Sequence, residues 1–458
     1  MSDQIARAYN DHNVYILGAG FAQEAGLPLI KDFMNRMRDA ATWLEEQGGR
    51  EGELKAISRV LDFRLKAAAA AHRVPLNVEN VEDLFSLASA SGDQDLAKAM
   101  PLAIAATLDH ARSVAPALAD HQYFPIGVLN VPGWTKPANW KPPTANIQEG
   151  VRSGQLKGDW YGCPPYDFYL GVMCSYFNRG GPERRDTIIT FNYDTLVEEV
   201  FHGLEIAFNY GLPEGSVEFH DSAGRMKGSY SNAKISILKL HGSLNWWALP
   251  PEEQERLRRR VYDARVRTLQ DEGRLAEQNL DELTRSGLRL GHLTVYGCPG
   301  ARPAIPFLAP PTWRKDFSGY FGDIWHAAVL ALRTATNVVI LGYSVPPTDQ
   351  HFKYLLSAGL QDNISLRKVF FVNRGLAQEE TKRQLEERLF GLFRRELFDQ
   401  DIISLIPTDI REYLAGPRIM GGESDRVLIG RPLNPPGYTW GTAPWTVFPP
   451  FQSGWSIA

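Results

Sequence analysis

Six short apolar runs constrain this chain more than any other feature. They are Val14-Tyr15-Ile16-Leu17, Thr187-Ile188-Ile189-Thr190, Ile235 to Leu240, Ile305 to Leu308, Val338 to Leu341 and Val369 to Val372. Runs this short, with little polar alternation, predict strands buried on both faces, as in parallel sheets. Helical patterns separate them. One series, rich in Ala, Leu, Glu and Arg, follows the first run to about residue 118. Within it, Asn77 to Leu87 (NVENVEDLFSL) reads as a helix start with acidic residues in its first turn. Another helix is expected near Asp194, and others after the last two runs. Strands alternating with helices predict an α/β fold: a doubly wound, Rossmann-like parallel sheet with helical insertions and an irregular C-terminal tail.

Residues 1–412 read as one domain with insertions near 119–165 and 250–300, followed by a Pro/Trp-rich tail over 413–458. The first insertion is dense in Pro, Trp and Gly (VPGWTKPANWKPP), and Trp134, Trp140, Trp160 and Tyr161 are aromatic anchors. A stretch this long is expected to be a lid or an ordered insertion. Residues 251–287 carry a charge-rich helical pattern with Leu257, Val261 and Ala264 on one face. The tail is expected to strap over the domain or to be ordered by a partner.

A net charge of −4 over 458 residues gives no sign of a nucleic-acid or membrane-surface partner. No apolar stretch is long enough to span a bilayer, and the first thirteen residues do not read as a secretory signal. Three separated cysteines, Cys163, Cys174 and Cys298, make neither a disulfide framework nor a four-cysteine zinc site. A reducing, cytoplasmic setting is the expectation.

In open parallel sheets, ligands sit beyond the carboxyl ends of the strands. The first run ends in Gly18-Ala19-Gly20, with Gly26 further on. Glycines there would let the backbone approach a pyrophosphate, and a following helix would offer free N–H groups. The spacing departs from G-x-G-x-x-G, and a plain strand-to-helix turn is an equal reading. Asn192 and Asp194, His241, Gly342 and Ser344, and Asn373 follow four other runs. Each alone reads as a turn or a helix cap. Together they are expected to share one rim.

These residues resemble motifs of the sirtuin (SIR2-like) superfamily. GAGFAQEAGLP (Gly18 to Pro28) resembles its GAG-x-S-x-x-[SA]-GIP loop, and TFNYD (Thr190 to Asp194) its T-Q-N-x-D motif. His241-Gly242 resembles its catalytic His-Gly pair, LGYS (Leu341 to Ser344) its late glycine–serine turn, and Val372-Asn373 its adenosine-binding strand end. The matches run in family order from residue 14 to about 375. Ala22 stands where the family has serine, Phe191 where it has glutamine, and LIKDF replaces its Asp-Phe-Arg. The two C-x-x-C pairs of its structural zinc module are absent, so no zinc is expected. That places the resemblance nearest the zinc-free bacterial NAD hydrolases of anti-phage defence.

The resemblance implies NAD as substrate. Gly18, Ala19, Gly20 and Phe21 would cradle the pyrophosphate, Asp194 would hold the carboxamide, and Gly342, Ser344 and Asn373 would lie on the adenosine side. Asn192 would contact the nicotinamide ribose and an attacking water. His241 would meet ribose hydroxyls and accept a proton, its ordinary pKa lying near neutrality. The expected activity is NAD glycohydrolysis, gated by self-association or a regulatory protein partner. A zinc-free deacylase, an ADP-ribosyl transferase and a non-catalytic NAD or ADP-ribose sensor are the alternatives.

Overall fold

A computed structural model describes residues 12–74, 76–114, 166–173, 186–203, 208–212, 217–220, 226–227, 233, 235–248, 288–290, 305–312, 319–346, 349–410 and 413. The expected insertion at 119–165 lies outside them, as do the expected insertion at 250–300 apart from residues 288–290 and the tail at 413–458 apart from residue 413.

In chain order the strands are β1 (Asn13–Leu17), β2 (Thr187–Thr190), β3 (Phe208–Asn209), β4 (Val217–His220), β5 (Met226–Lys227), β6 (Ile235–Lys239), β7 (Gly242–Ala248), β8 (Leu288–Leu290), β9 (Ile305–Leu308), β10 (Asn337–Leu341), β11 (Lys368–Val372) and β12 (Ile403–Ile406). The helices are α1 (Phe33–Gln47), α2 (Glu51–Ala71), α3 (Val81–Ala90), α4 (Gln94–Val114), α5 (Tyr166–Met173), α6 (Leu196–Gly203), α7 (Gly319–Thr334), α8 (Gln350–Leu360), α9 (Glu379–Phe390) and α10 (Arg395–Asp399).

Seven strands form one sheet in the order β12-β11-β10-β1-β2-β6-β3. All of its pairings are parallel. From β1 the chain winds outward through β2, then returns to β10 on the other side and winds outward again. This is the doubly wound α/β architecture, and β1 marks its switch point. The central strands are largely apolar because both faces are covered: every residue of β1, β2 and β10 is buried, the polar ones lying at the strand ends. Helices α1, α2 and α4 pack on one another, as do α7 and α8.

The register aligns the strand ends. Leu17 pairs with Leu341 and with Thr190, Leu341 with Val372, and Thr190 with Lys239. These five residues form one row across the sheet, so the residues that follow them form one rim. At about 4.8 Å per strand, the rim from β11 to β6 is about 19 Å long.

Three features differ from the sequence expectations. Ile305 to Leu308 is a strand, but it belongs to a second sheet, β5-β4-β8-β7-β9, where it pairs antiparallel with β7. The chain turns at His241 straight into β7, and this apolar run pairs with β7 rather than with a strand of the parallel sheet. The edge strands β3 and β12 escape the apolar-run signal: β3 is two residues long, and β12 has its two central residues half exposed. Finally, the Gly18-Ala19-Gly20 turn does not enter a helix. Short 3-10 turns at Ala19–Phe21, Gln23–Ala25 and Ile30–Asp32 intervene before α1 begins at Phe33. Gly26 at φ 85 and Pro28 interrupt any continuous helix through this loop.

Candidate functional site

A cavity of about 740 Å³ opens along the rim. That volume suits a cofactor-sized ligand. Ala19, Gly20, Phe21, Asn192, Asp194, His241, Gly342, Ser344 and Asn373 all line it. Gly18 is not among its lining residues.

The glycine loop makes the β1–β10 part of the wall. Gly18 N donates to Leu341 O at 3.0 Å, and Gly20 N donates to Gly342 O at 2.8 Å. A Cβ on Gly18 would lie 2.7 Å from Gly342 O and from Tyr343 Cα; one on Gly20 would lie 2.7 Å from Gly342 O. Gly342 has φ 63, and a Cβ there would run into Phe21 N. The two turns after β1 and β10 therefore pack backbone on backbone. The sequence reading assigned these glycines to close approach by a pyrophosphate. In the structure the close approach is made by the chain itself, while Ala19, Gly20 and Phe21 still present the loop to the cavity.

At the β2–β6 part of the wall, side chains dominate. Asn192 is half-buried, and its Nδ2 donates to Gly18 O at 3.1 Å, tying the β2 turn to the glycine loop. Its Oδ1 has no hydrogen-bond partner among the described residues. Asp194 is buried, and its Oδ1 accepts from Leu196 N at 3.0 Å. Asp194 thus caps α6 as well as lining the cavity, so both readings of this residue have a basis in one side chain. His241 occupies the turn between β6 and β7 and is buried. Its carbonyl accepts from Ala309 N at 2.9 Å, which anchors the turn to the end of β9.

Aromatic rings join the two parts. Phe191 stacks on Tyr343 with centroids 5.1 Å apart and planes at 11°, and meets His241 edge-on at 5.4 Å. A glutamine could not make this stack. The Tyr343 hydroxyl donates to Asp349 Oδ2, and the Tyr193 hydroxyl donates to Ala309 O at 2.7 Å. Burial pushes the Tyr193 phenol far above its ordinary pKa, with the nearby Glu82 carboxylate adding to the rise. Burial followed by Asp349 does the same for Tyr343. Both phenols therefore stay neutral, as hydrogen-bond donors.

On the β10–β11 side, Ser344 is exposed and its carbonyl accepts from Arg388 at 3.2 Å. The Asn373 side chain accepts from Gly375 N at 2.8 Å, so its oxygen is engaged in a cap. Arg374 and Arg388 also line the cavity. Across from the rim, the start of α3 contributes Asn80 and Glu82, Asn80 capping the helix through Glu82 N at 2.8 Å.

The sequence reading found the helix at α3 but not its place in the cavity wall. It also missed the two arginines, Phe191 and Tyr193 as wall residues, and a buried Lys239–Glu198 ion pair with N···O 2.8 Å. Only the ion pair left a signal: Lys239 is a charge inside the apolar strand ISILKL, and Glu198 lies in the apolar helix segment LVEEVF. Among the described residues, no group of three or more His, Cys, Asp or Glu could hold a metal ion, and no helix is long and apolar enough to cross a membrane.

Residues 186–309 match the family described as a SIR2-like domain. No curated protein matches the chain. A solved structure described as "Structural Basis for the Mechanism and Regulation of Sir2 Enzymes" is 11% identical, with 85% of this chain and 96% of that chain covered and a TM-score of 0.28. The chain is thus similar to the SIR2-like domain family over the residues that carry Asn192, Asp194 and His241.

Proposed function

We propose that this chain is an NAD glycohydrolase: it breaks the bond between nicotinamide and ribose and releases nicotinamide and ADP-ribose. Nicotinamide in NAD is already a cationic leaving group, so it departs with the bonding electron pair and needs no proton. The protein must stabilise the electron-poor ribose left behind and deliver water to it.

The observation that carries the reading is the state of Asn192. Its amide nitrogen is spent on Gly18 O at 3.1 Å, while Oδ1 has no partner among the described residues on the wall of a ligand-sized cavity. An anchored amide with a free acceptor suits a ribose hydroxyl or an attacking water. His241, from the neighbouring strand end, lines the same cavity. In this mechanism it takes the proton that the water loses. Asp194 faces the cavity beside them and accepts from the carboxamide N–H of nicotinamide. The loop surface formed by Ala19, Gly20 and Phe21 and the Arg374 and Arg388 end of the cavity receive the pyrophosphate and adenosine portions. Similarity to the SIR2-like domain over residues 186–309 supports NAD as the ligand. The resemblance to zinc-free bacterial NAD hydrolases extends the proposal to NAD depletion in anti-phage defence.

The test is to incubate purified protein with NAD, with and without an acetyl-lysine peptide, and to separate the products. Equal amounts of nicotinamide and ADP-ribose, independent of peptide, are expected. Peptide-dependent nicotinamide release would make the chain a deacylase. ADP-ribosylated protein would make it a transferase, and bound but intact NAD would make it a sensor.

A further inference from the structure

Two ionisable side chains lie beneath the site without touching the cavity. Lys239, on β6, is fully buried, and Glu198, on α6, is 1% exposed. Their N···O distance is 2.8 Å. Lys239 Nζ also donates to the carbonyl of Asp194. The Tyr210 hydroxyl donates to Glu198 Oε1 at 3.3 Å, and Asn245 Nδ2 donates to the Tyr210 oxygen at 3.3 Å. The Tyr210 ring stands edge-on to Trp246, with centroids 5.0 Å apart, which fixes the phenol in place.

The placement of this chain of bonds in the sequence is specific. Lys239 lies two residues before His241, and Asn245 lies four after it. Glu198 lies four residues after Asp194 and on the helix that Asp194 caps. One polar network therefore ties the Asn192–Asp194 turn to both flanks of the His241 turn. Such a network is a poor route to stability. Removing two charges from water carries a heavy desolvation cost, and well-packed apolar residues of similar volume commonly do as well or better. Burial pushes the Glu198 carboxyl up, against the opposing pull of Lys239. An ion pair supplies what an apolar pair cannot: a fixed direction and distance between named atoms.

We propose that the Lys239–Glu198 pair is a positioning device that sets the spacing between the Asn192–Asp194 turn and the His241 turn, and is not a source of stability. The functional half of this inference rests on the proposed cleavage of NAD; the structural half does not.

The test is the paired replacement Lys239→Met with Glu198→Leu, beside each single replacement. The paired variant is expected to fold with a Tm close to that of the parent, the Asp194 carbonyl and the Tyr210 hydroxyl each losing one partner, while each single variant, left with one uncompensated buried charge, melts well below it. In the paired variant, kcat for nicotinamide release is expected to fall at least about tenfold, since small misplacements of catalytic groups are costly, with the Kd for NAD changed little. Hydrogen exchange at Leu196 N, which Asp194 Oδ1 now holds, should accelerate about tenfold, with no change at the β1 amides. A paired variant that is unfolded or strongly destabilised would make the pair a stabilising element and overturn the proposal. A stable paired variant with parent-like exchange at Leu196 would overturn it equally. A parent that releases no nicotinamide would defeat the cleavage reading alone, and the exchange measurement would still decide the positioning claim.

Discussion

At the β1–β10 end of the rim the chain packs backbone against backbone, with Gly18, Gly20 and Gly342 in mutual contact and no room for a Cβ. At the β2–β6 end the turns present the side chains of Asn192, Asp194 and His241, and a buried polar network holds those turns from below. Both ends grow from the same register row of the same sheet. They differ in what a substitution would disturb. The first end depends on the size of its residues, so its failures should appear in stability. The second depends on chemical groups, so its failures should appear in catalysis with the fold intact.

The largest effect is expected at the first end. Gly342→Ala would hold a non-glycine residue at φ 63 and drive its Cβ into Phe21 N. Strain in the left-handed region and overpacking together are expected to cost about 3–5 kcal/mol. Urea denaturation measures this directly, and a midpoint close to that of the parent would break the backbone-packing account. Next come Asn192→Ala and His241→Ala. Each is expected to lower nicotinamide release at least about a hundredfold, comparable with losing an oxyanion-type donor, while circular dichroism stays that of the parent and the urea midpoint falls only by the roughly 1 kcal/mol of lost local contacts. Loss of stability in place of activity would move these residues into the structural class.

Asp194, at the second end, has both a structural and a chemical role, and two replacements separate them. Asp194→Ala removes the cap on α6 and is expected to cost about 1 kcal/mol. Asp194→Asn keeps a side-chain oxygen for Leu196 N, so its stability should match the parent's, and any fall in kcat/KM then reports the carboxylate alone. Equal destabilisation of the two variants would contradict the capping role. The smallest effect is expected at Tyr343. Tyr343→Phe deletes the hydrogen bond to Asp349 but keeps the stack on Phe191. The expected loss is about 1 kcal/mol or less, read from thermal unfolding, with cleavage nearly unchanged.

The same division explains what could be read from the sequence. Strands β1, β2, β6, β10 and β11 were legible to within a residue, because burial on both faces makes each a continuous apolar run. Their polar ends were legible for the same reason: a strand that stops abruptly exposes its next residue on the rim. The edge strand β12, with its mixed burial, left no such pattern. Ile305 to Leu308 was legible as a strand but not as a member of the second sheet, since an apolar run does not name its partner. The packing role of the glycines was also hidden. Gly18 and Gly20 look alike whether the backbone pressing on them belongs to a ligand or, as here, to Gly342. The Lys239–Glu198 pair joins residues 41 positions apart, and nothing local in either segment points to the other.

The central claim, that the side-chain end of this cavity breaks the nicotinamide–ribose bond, is tested most directly by product analysis on three proteins of demonstrated equal folding. Parent, Asn192→Ala and His241→Ala are each incubated with NAD, and nicotinamide and ADP-ribose are quantified by chromatography. The parent is expected to yield the two products in equal amounts, and both variants at most about one hundredth as much. Recovery of intact NAD from the parent, or parent-like product formation by either folded variant, would contradict it.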